Sequence, residues 1–315
     1  MTRIGSFFAA ALLLVLLSVP AWGQGASIPK SKWGADDQLG AVNMLTPAMA
    51  KQAAGLVRTG KVYALGIITA SDTPAFPPRT YSITIVQPGQ QVGKVVFPNE
   101  LTYNDDIIHT WVGIGSQIDG LGHVGLRHEY YNQHKATDFA GITGLGKLGL
   151  EHVPPIVTRG VLINMAKYFG VETMKEGQAF NSKEIQEAAR QQGVTIRKGD
   201  VVLFHTGWLN LLGKNDKLFG SQEPGLGVEG GKYLAGLDVV AVGADTWGLD
   251  VVPPEKPDTI FQNHLTLLAQ NGIYILENMD TRELAKDGAT EFMFVLGHAR
   301  MAGTVQMIIN PVAIR

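Results

Sequence analysis

Short apolar runs of strand-like composition recur along most of this chain and restrict the folds that it can adopt. Few segments between them carry the 3.6-residue spacing of an amphipathic helix. The strand-like runs are residues 62–69, 81–86, 107–114, 161–165, 201–205, 239–242, 274–277, 292–296 and 305–309. Because predicted strands outnumber predicted helices, the pattern argues against a regular βαβ barrel.

Two segments before residue 200 carry helical signals. Residues 46–56 have helical spacing of apolar side chains. Further on, Asn181 and Glu184 have the spacing of a capping box, and Gly193 is suited to close the helix that they begin. We therefore predict one helix in each segment.

Composition narrows the class of protein. With 315 residues, the chain can bury a large core as one generous domain or two small ones. Its formal net charge of -2 and the lack of a Lys/Arg run argue against nucleic-acid binding. The chain has no cysteine, so disulfides and thiolate metal sites are both excluded.

The N-terminus has the pattern of a secretory signal peptide. Arg3 supplies a positive charge, residues 7–19 are apolar, and a small-residue cleavage signal ends at Gly23. We predict a signal peptide over 1–23, the alternative being an uncleaved anchor. The mature protein would be periplasmic or secreted and free of the membrane, because no later segment is long and apolar enough to cross it.

The polar, Gly- and Pro-containing stretch that follows predicts an N-terminal arm over residues 24–45. We place a single domain in residues 46–315.

Residues 113–123 concentrate oxygen and nitrogen ligands in a glycine-rich segment. If the segment is extended, Gln117 and Asp119 lie on one face, and the glycines that follow let His123 turn back toward them. Such a donor set suits Zn²⁺ or Mn²⁺. An aspartate in a glycine-rich turn is, however, more often a turn former than a ligand.

A second group of donors lies downstream. His264 begins a short helical pattern that stops at Gly272, and an apolar strand then ends at Glu277. The helix leads away and the strand returns, so His264 and Glu277 can meet at one end of a sheet. A carboxylate on so apolar a strand needs a partner, and a metal ion would supply one.

Together these residues resemble the cyclase or kynurenine formamidase-like metal-dependent hydrolases, a family that includes isatin hydrolase and relatives of trans-dienelactone hydrolase. The family motif is His-x-Gly-Thr-His-x-Asp-x-Pro-x-His, followed far downstream by a His and a Glu. Gly115, Asp119 and His123 match it, and His264 and Glu277 match the downstream pair. Residues 154–164, 198–208 and 243–246 resemble the remaining blocks in the family's order.

The resemblance runs roughly from Gly34 to the C-terminus. It implies an α/β architecture of the swivelling β/β/α type, with a mixed sheet flanked by helices in a single domain, and a homo-oligomer.

The chain also departs from the motif. Ser116 replaces Thr, Gln117 replaces the second His as in the dienelactone hydrolase branch, and Gly113 replaces the first His. Because both imidazole replacements weaken the same half of a two-metal site, we predict one divalent ion, Zn²⁺ or Mn²⁺. The resemblance implies that its ligands are Gln117, Asp119, His264 and Glu277.

His123 is the predicted general base, with a role as an extra ligand as the alternative. His205 stands where relatives often carry Arg before Thr-Gly-Trp, so His205 and Trp208 are predicted to bind substrate; a core histidine is an equal alternative. Asp245 and Asp250 either support a metal-bound imidazole or form turns.

Activated water is the predicted nucleophile, because Ser116 lacks a nucleophile elbow and no thiol is present. We predict hydrolysis of a small-molecule amide, lactam, formamide or lactone. The alternatives are a periplasmic small-molecule binding protein on a degenerate scaffold, motivated by Gly113, and a metal-dependent lyase or dehydratase.

Overall fold

A mixed β-sheet of nine strands forms the centre of the computed structural model, which describes residues 27–86 and 97–315. The predicted signal peptide, residues 1–23, lies outside the described residues. In chain order the strands are β1 (Val62–Ala64), β2 (Tyr81–Val86), β3 (Asp105–Thr110), β4 (Gln117–Asp119), β5 (Ala140–Gly141), β6 (Gly144–Leu145), β7 (Ile156–Asn164), β8 (Ala179–Phe180), β9 (Val201–His205), β10 (Gly225–Leu226), β11 (Ala241–Ala244), β12 (Tyr274–Glu277), β13 (Glu291–Leu296), β14 (Gln306–Ile308) and β15 (Val312–Ile314).

Short helices flank this sheet. They are α1 (Pro47–Ala54), α2 (Ala136–Phe139), α3 (Met165–Tyr168), α4 (Ser182–Gln191), α5 (Asp216–Phe219), α6 (Val228–Gly236), α7 (Gln262–His264) and α8 (Arg282–Lys286). A π-helical segment, Leu265–Gln270, continues α7, and 3-10 turns occur at Gly40–Met44, Tyr131–Gln133, Leu150–His152 and Trp208–Leu211.

The large sheet has the order β1-β15-β13-β7-β9-β11-β12-β4-β14. Its centre, from β7 through β9 and β11 to β12, is parallel, whereas β4 pairs antiparallel with both β12 and β14. The residues of β9, β11 and β12 are all buried, as expected of strands covered on both faces. The predicted α/β single-domain fold with a mixed sheet and flanking helices is confirmed.

The helices predicted within residues 46–56 and from Asn181 to Gly193 both form. Helix α1 occupies Pro47–Ala54, and the Thr46 hydroxyl accepts a hydrogen bond from the backbone N–H of Met49. Helix α4 begins with the predicted capping box of Asn181 and Glu184. The few apolar side chains of this helix pack into the core, and this tertiary packing stabilises it.

The described part of the predicted N-terminal arm, residues 27–45, packs on the domain. Ile28 is only 1% exposed. The Asp37 carboxylate accepts hydrogen bonds from the hydroxyls of Ser31 and Tyr131, both at 2.6 Å. Within the described residues, no helix has the length and apolar character needed to cross a membrane.

Strands β2 and β3 form a separate two-stranded hairpin. The hairpin carries exposed apolar side chains along both strands, namely Ile83, Ile85, Ile107 and Ile108. A two-stranded hairpin is only marginally stable in water without further packing, and exposed apolar patches are typical of interaction surfaces.

Candidate metal centre

The register of three strands places four polar side chains on one face at the edge of the large sheet. Asp119 of β4 lies directly opposite Gln306 of β14, and Gln117 lies opposite Glu277 of β12. Residues two apart on a strand share a face, so these carboxylates and amides form a buried quartet.

The two carboxylate oxygens of Asp119 have different surroundings. Oδ1 accepts hydrogen bonds from the side-chain amides of Gln117, at 3.0 Å, and Gln306, at 2.6 Å. Oδ2 is buried and has no hydrogen-bond partner among the described residues. It faces two imidazole nitrogens, His264 Nε2 at 3.5 Å and His123 Nε2 at 3.9 Å.

His264 is held in a fixed orientation by Asp250. It lies at the end of α7, where the chain passes into the π-helical segment. Its Nδ1 lies 2.8 Å from Asp250 Oδ2, and Asp250 Oδ1 accepts the backbone N–H of Asn263. Nε2 is therefore aimed at Asp119 and at Glu277 Oε1, which is 3.2 Å away.

Left-handed turns bring the site strands into position. Asn278, directly after Glu277, has φ 54°, and its side-chain amide donates to the carbonyl of Gly115, which has φ 66°. The Ser116 hydroxyl donates to the carbonyl of Asn278. This serine therefore links β4 to the end of β12 and is buried away from the cavity described below.

The charges in this cluster are strongly coupled. Burial opposes ionisation of Asp119, but the imidazoles of His123 and His264 hold its pKa at about 2. Burial, reinforced by the charge of Asp119, raises the pKa of Glu277 to about 7. Burial alone would lower the pKa of His264, yet the carboxylates around it raise that pKa well above the usual value. The cluster thus concentrates negative charge around one imidazole.

Asp119, His123 and His264 form a candidate metal site. Each offers one donor atom, and these atoms all lie within 4.8 Å of one another. A buried carboxylate oxygen with no hydrogen-bond partner is costly, and a cation between it and the imidazoles would remove that cost. The residues present therefore fit a divalent ion.

The residues that the resemblance singled out as ligands all come together, but Gln117 does so as a hydrogen-bond donor. Its amide nitrogen lies 3.0 Å from Asp119 Oδ1 and 2.6 Å from Glu277 Oε2. An amide nitrogen is not a metal ligand, so in this orientation Gln117 orders the two carboxylates.

His123 differs from His264 in its hydrogen bonding. Its side chain is 21% exposed, and no described residue forms a hydrogen bond with either ring nitrogen. Burial lowers its pKa, an effect that the Asp119 carboxylate opposes only in part. Burial of the ring therefore favours the neutral form of His123.

A cavity of about 210 Å³ opens onto these groups. Its polar lining residues include His123, His264, Glu277 and Arg79, and Val124 also lines it. Three aromatic residues also line the cavity: Phe76, Trp247 and Phe261. Their ring centroids lie 6.0–6.1 Å apart. The cavity is compact beside ligand pockets of about 300–1,000 Å³.

The structure places His205 and Trp208 elsewhere, and neither lines this cavity. Trp208 is 1% exposed, and its indole N–H donates to the carbonyl of Phe219. His205 Nδ1 lies 2.8 Å from the Thr281 hydroxyl, and the ring borders a different, open groove. His205 ends β9 and Trp208 follows it, and in the sheet order β11 and β12 lie between β9 and β4.

The sequence left two roles open for Asp245 and Asp250, and the structure gives one role to each residue. Asp250 supports His264, as described above. Asp245 accepts the backbone N–H groups of Thr206 and Gly207 and so fixes the turn after β9.

Several residues of the site escaped the sequence analysis. Glu223 is buried, and its Oε2 accepts the backbone N–H groups of Trp247 and Gly248 at the cavity wall. Burial, together with the charge of Glu277, raises the pKa of Glu223 well above its usual value. Gln306 and Arg79 were also missed, because a lone Gln or Arg carries no spacing signal until the strand register is known.

Comparison with known proteins agrees with this fold. Residues 28–251 match the model of the Cyclase family, described as "Putative cyclase". A crystal structure of a novel cyclase shares 28% sequence identity, covers 90% of this chain and 98% of its own, and has a TM-score of 0.81. No curated protein matches the chain.

More distant structures share the fold. Isatin hydrolase A from Labrenzia aggregata, bound to benzyl benzoate, is 16% identical, with a TM-score of 0.57 and coverage of 84% of this chain and 96% of its own. Isatin hydrolase A from Ralstonia solanacearum is 17% identical, with a TM-score of 0.58 and coverage of 85% and 97%.

Proposed function

Because this chain belongs to the Cyclase family, we propose that it is a metal-dependent hydrolase of a small cyclic or N-acyl carbonyl compound, such as a lactone, a lactam or a formamide. The observation that carries the proposal is Asp119 Oδ2, a buried carboxylate oxygen with no hydrogen-bond partner among the described residues, facing two imidazole nitrogens. Structural relatives named as metal-dependent hydrolases and isatin hydrolases support it.

One divalent ion, Zn²⁺ or Mn²⁺, would be held by Asp119 and His264, with Glu277 beside them. When bound, such an ion lowers the pKa of water to near neutrality and polarises a carbonyl group. Asp250 would keep the proton of His264 on Nδ1, so that Nε2 is free to act as a ligand. Gln117 would hold the two carboxylates in place through its amide nitrogen.

His123 fits the general base better than a ligand. A metal-bound imidazole usually has its second nitrogen held by a carboxylate or carbonyl, as His264 does and His123 does not within the described chain. A neutral imidazole at the cavity wall can accept a proton from water at Nε2 and return it to the leaving group.

The cavity favours a compact, planar substrate. The rings of Phe76, Trp247 and Phe261 offer flat apolar walls. Arg79 lines the same cavity, and its guanidinium also donates to the carbonyl of Gly113 at 2.6 Å. It can bind a carbonyl or carboxylate oxygen of the substrate.

Metal analysis of the purified protein, followed by a panel of lactones, lactams and formamides, tests this proposal. We expect one equivalent of Zn²⁺ or Mn²⁺ and turnover that a chelator abolishes. A metal-free, inactive protein would refute it. Thermal stabilisation by a panel compound without turnover would instead identify a binding protein on this scaffold.

The cellular location and assembly are also proposals. The sequence of residues 1–23 supports export, which fractionation of cells that carry the full chain would test. The exposed isoleucines of the β2–β3 hairpin support a homo-oligomer in which a second copy covers them. Light scattering should then give more than one chain per particle, and Ile85→Lys should shift the particle toward the monomer; a monomeric wild type would contradict this.

A further inference from the structure

Gly113 and Gln306 fit one another closely. A Cβ atom added to Gly113 would lie 2.3 Å from Gln306 Oε1 and 2.7 Å from Gln306 Nε2. The φ angle of Gly113 is not in the left-handed region, so the backbone itself would accept a side chain there. The Gln306 carboxamide therefore occupies the space that a side chain at position 113 would need.

The same carboxamide acts on Asp119. Gln306 is 8% exposed, and it donates to Asp119 Oδ1 at 2.6 Å from the directly opposite position on β14. Gln117, two residues earlier on β4, donates to the same oxygen at 3.0 Å. With both donors on Oδ1, the carboxylate presents Oδ2 alone to His123 and His264.

We propose that Gln306 is a positioning residue for the metal ligand Asp119, and that it can act only because position 113 is glycine. The proposal rests on the metal site of the proposed function. Gln306 neither touches the ion nor reacts; its amide holds Oδ1 and thereby directs Oδ2 into the site. Partners of this kind commonly change metal affinity by about 10- to 100-fold.

Gly113 offers a test that does not touch Gln306 directly. The atoms that a Cβ at position 113 would meet are the far end of a flexible side chain, so Gly113→Ala can be accommodated by moving the carboxamide away from Asp119. Gly113→Ala should therefore weaken metal binding through Gln306. In a chain that already carries Gln306→Ala, the same change should have no further effect.

The experiment measures the dissociation constant for Zn²⁺ in wild type, Gly113→Ala, Gln306→Ala and the double variant by competition with a chromophoric chelator. Ile308→Val is the matched control, because Ile308 lies on the same face of β14, opposite Gln117. Thermal unfolding of each metal-free protein reports whether the fold is kept. We expect each single variant to bind Zn²⁺ about 10-fold more weakly or worse, the double variant to equal Gln306→Ala, and the control to match wild type.

The outcomes separate the two proposals. If wild type binds Zn²⁺ and Gln306→Ala binds it equally well, the positioning role is wrong and the proposed function stands. Additive losses in the double variant would also overturn the coupling between Gly113 and Gln306. If wild type binds no metal, both proposals fail. Should Gln306→Ala not fold, Gln306→Leu, which keeps the volume and removes the donor, replaces it in the same comparison.

Discussion

Asp250 and His264 form a buried pair in which the carboxylate Oδ2 lies 2.8 Å from the imidazole Nδ1. This contact decides which nitrogen of His264 faces the site. Asp250→Asn would remove the charge and favour the other tautomer, so we expect about 10- to 100-fold weaker metal binding. Competition with a chelator measures it; Asp245→Asn, which alters a turn instead, is the comparison variant. Equal metal affinity in Asp250→Asn and wild type would contradict this assignment.

Asp119 and His123 should separate metal binding from turnover. Asp119→Ala removes the oxygen that faces both imidazoles, and we expect it to lose the metal and all activity. His123→Ala should keep the metal while turnover falls by roughly 100- to 10,000-fold, the range typical of a general base. Metal content and kcat are measured on the same preparations. Equal metal loss in the two variants would make His123 a ligand and not the base.

Glu223 should make the stability of the protein depend on pH. Burial and the charge of Glu277 raise the pKa of this acid in the folded state, so the folded state favours its protonated form. The stability due to Glu223 is therefore fully present below its unfolded pKa and is lost as the pH rises through the folded value.

Glu223→Gln keeps the shape and removes this titration. Denaturant unfolding of the metal-free proteins should show Glu223→Gln to be more stable than wild type at pH 8, with a smaller difference near pH 4. A difference that does not change with pH would show that Glu223 is not held in its protonated form.

Phe76 should contribute to substrate binding through its exposed ring. It lines the cavity and is 47% exposed, whereas Phe97 is 44% exposed and stacks on Tyr103 instead. Phe76→Ala should raise KM several-fold with little change in kcat, because a flat wall binds ground state and transition state alike. Phe97→Ala is the matched control. A fall in kcat at constant KM for Phe76→Ala would assign the ring to the chemical step.

The strands and the acidic cluster could be predicted because their signals are local. Alternation around Gln117 and Asp119 placed both on one face, and the strand over residues 274–277 forms where its apolar run predicted. The run at residues 62–69 forms a strand only at Val62–Ala64. Beyond this strand, Ile67 donates its backbone N–H to the hydroxyl of Ser116, the residue before β4. The chain there is bonded to a side chain and not to a neighbouring strand of the sheet.

What could not be predicted depends on pairing between distant strands. Gln306 lies in an ordinary apolar run, and nothing in that run indicates that it faces Asp119. The same holds for Arg79 and Phe76, which reach the cavity from a stretch without regular structure. For His205 and Trp208, a local motif indicated a substrate-binding role. The sheet order, however, places β11 and β12 between their strand and β4, and neither residue lines the cavity at the metal centre.

The Asp119 and Gln306 side chains that meet across β4 and β14 are separated by 187 positions in the chain. During synthesis, β4 leaves the ribosome long before β14 does, so Asp119 spends that interval without the amide that directs it. Metal captured in that interval would meet a carboxylate free to bind through either oxygen. Of the strands that carry the site, β14 is the last to be made, so the complete set of donors around Asp119 exists only after almost the whole chain has been synthesised.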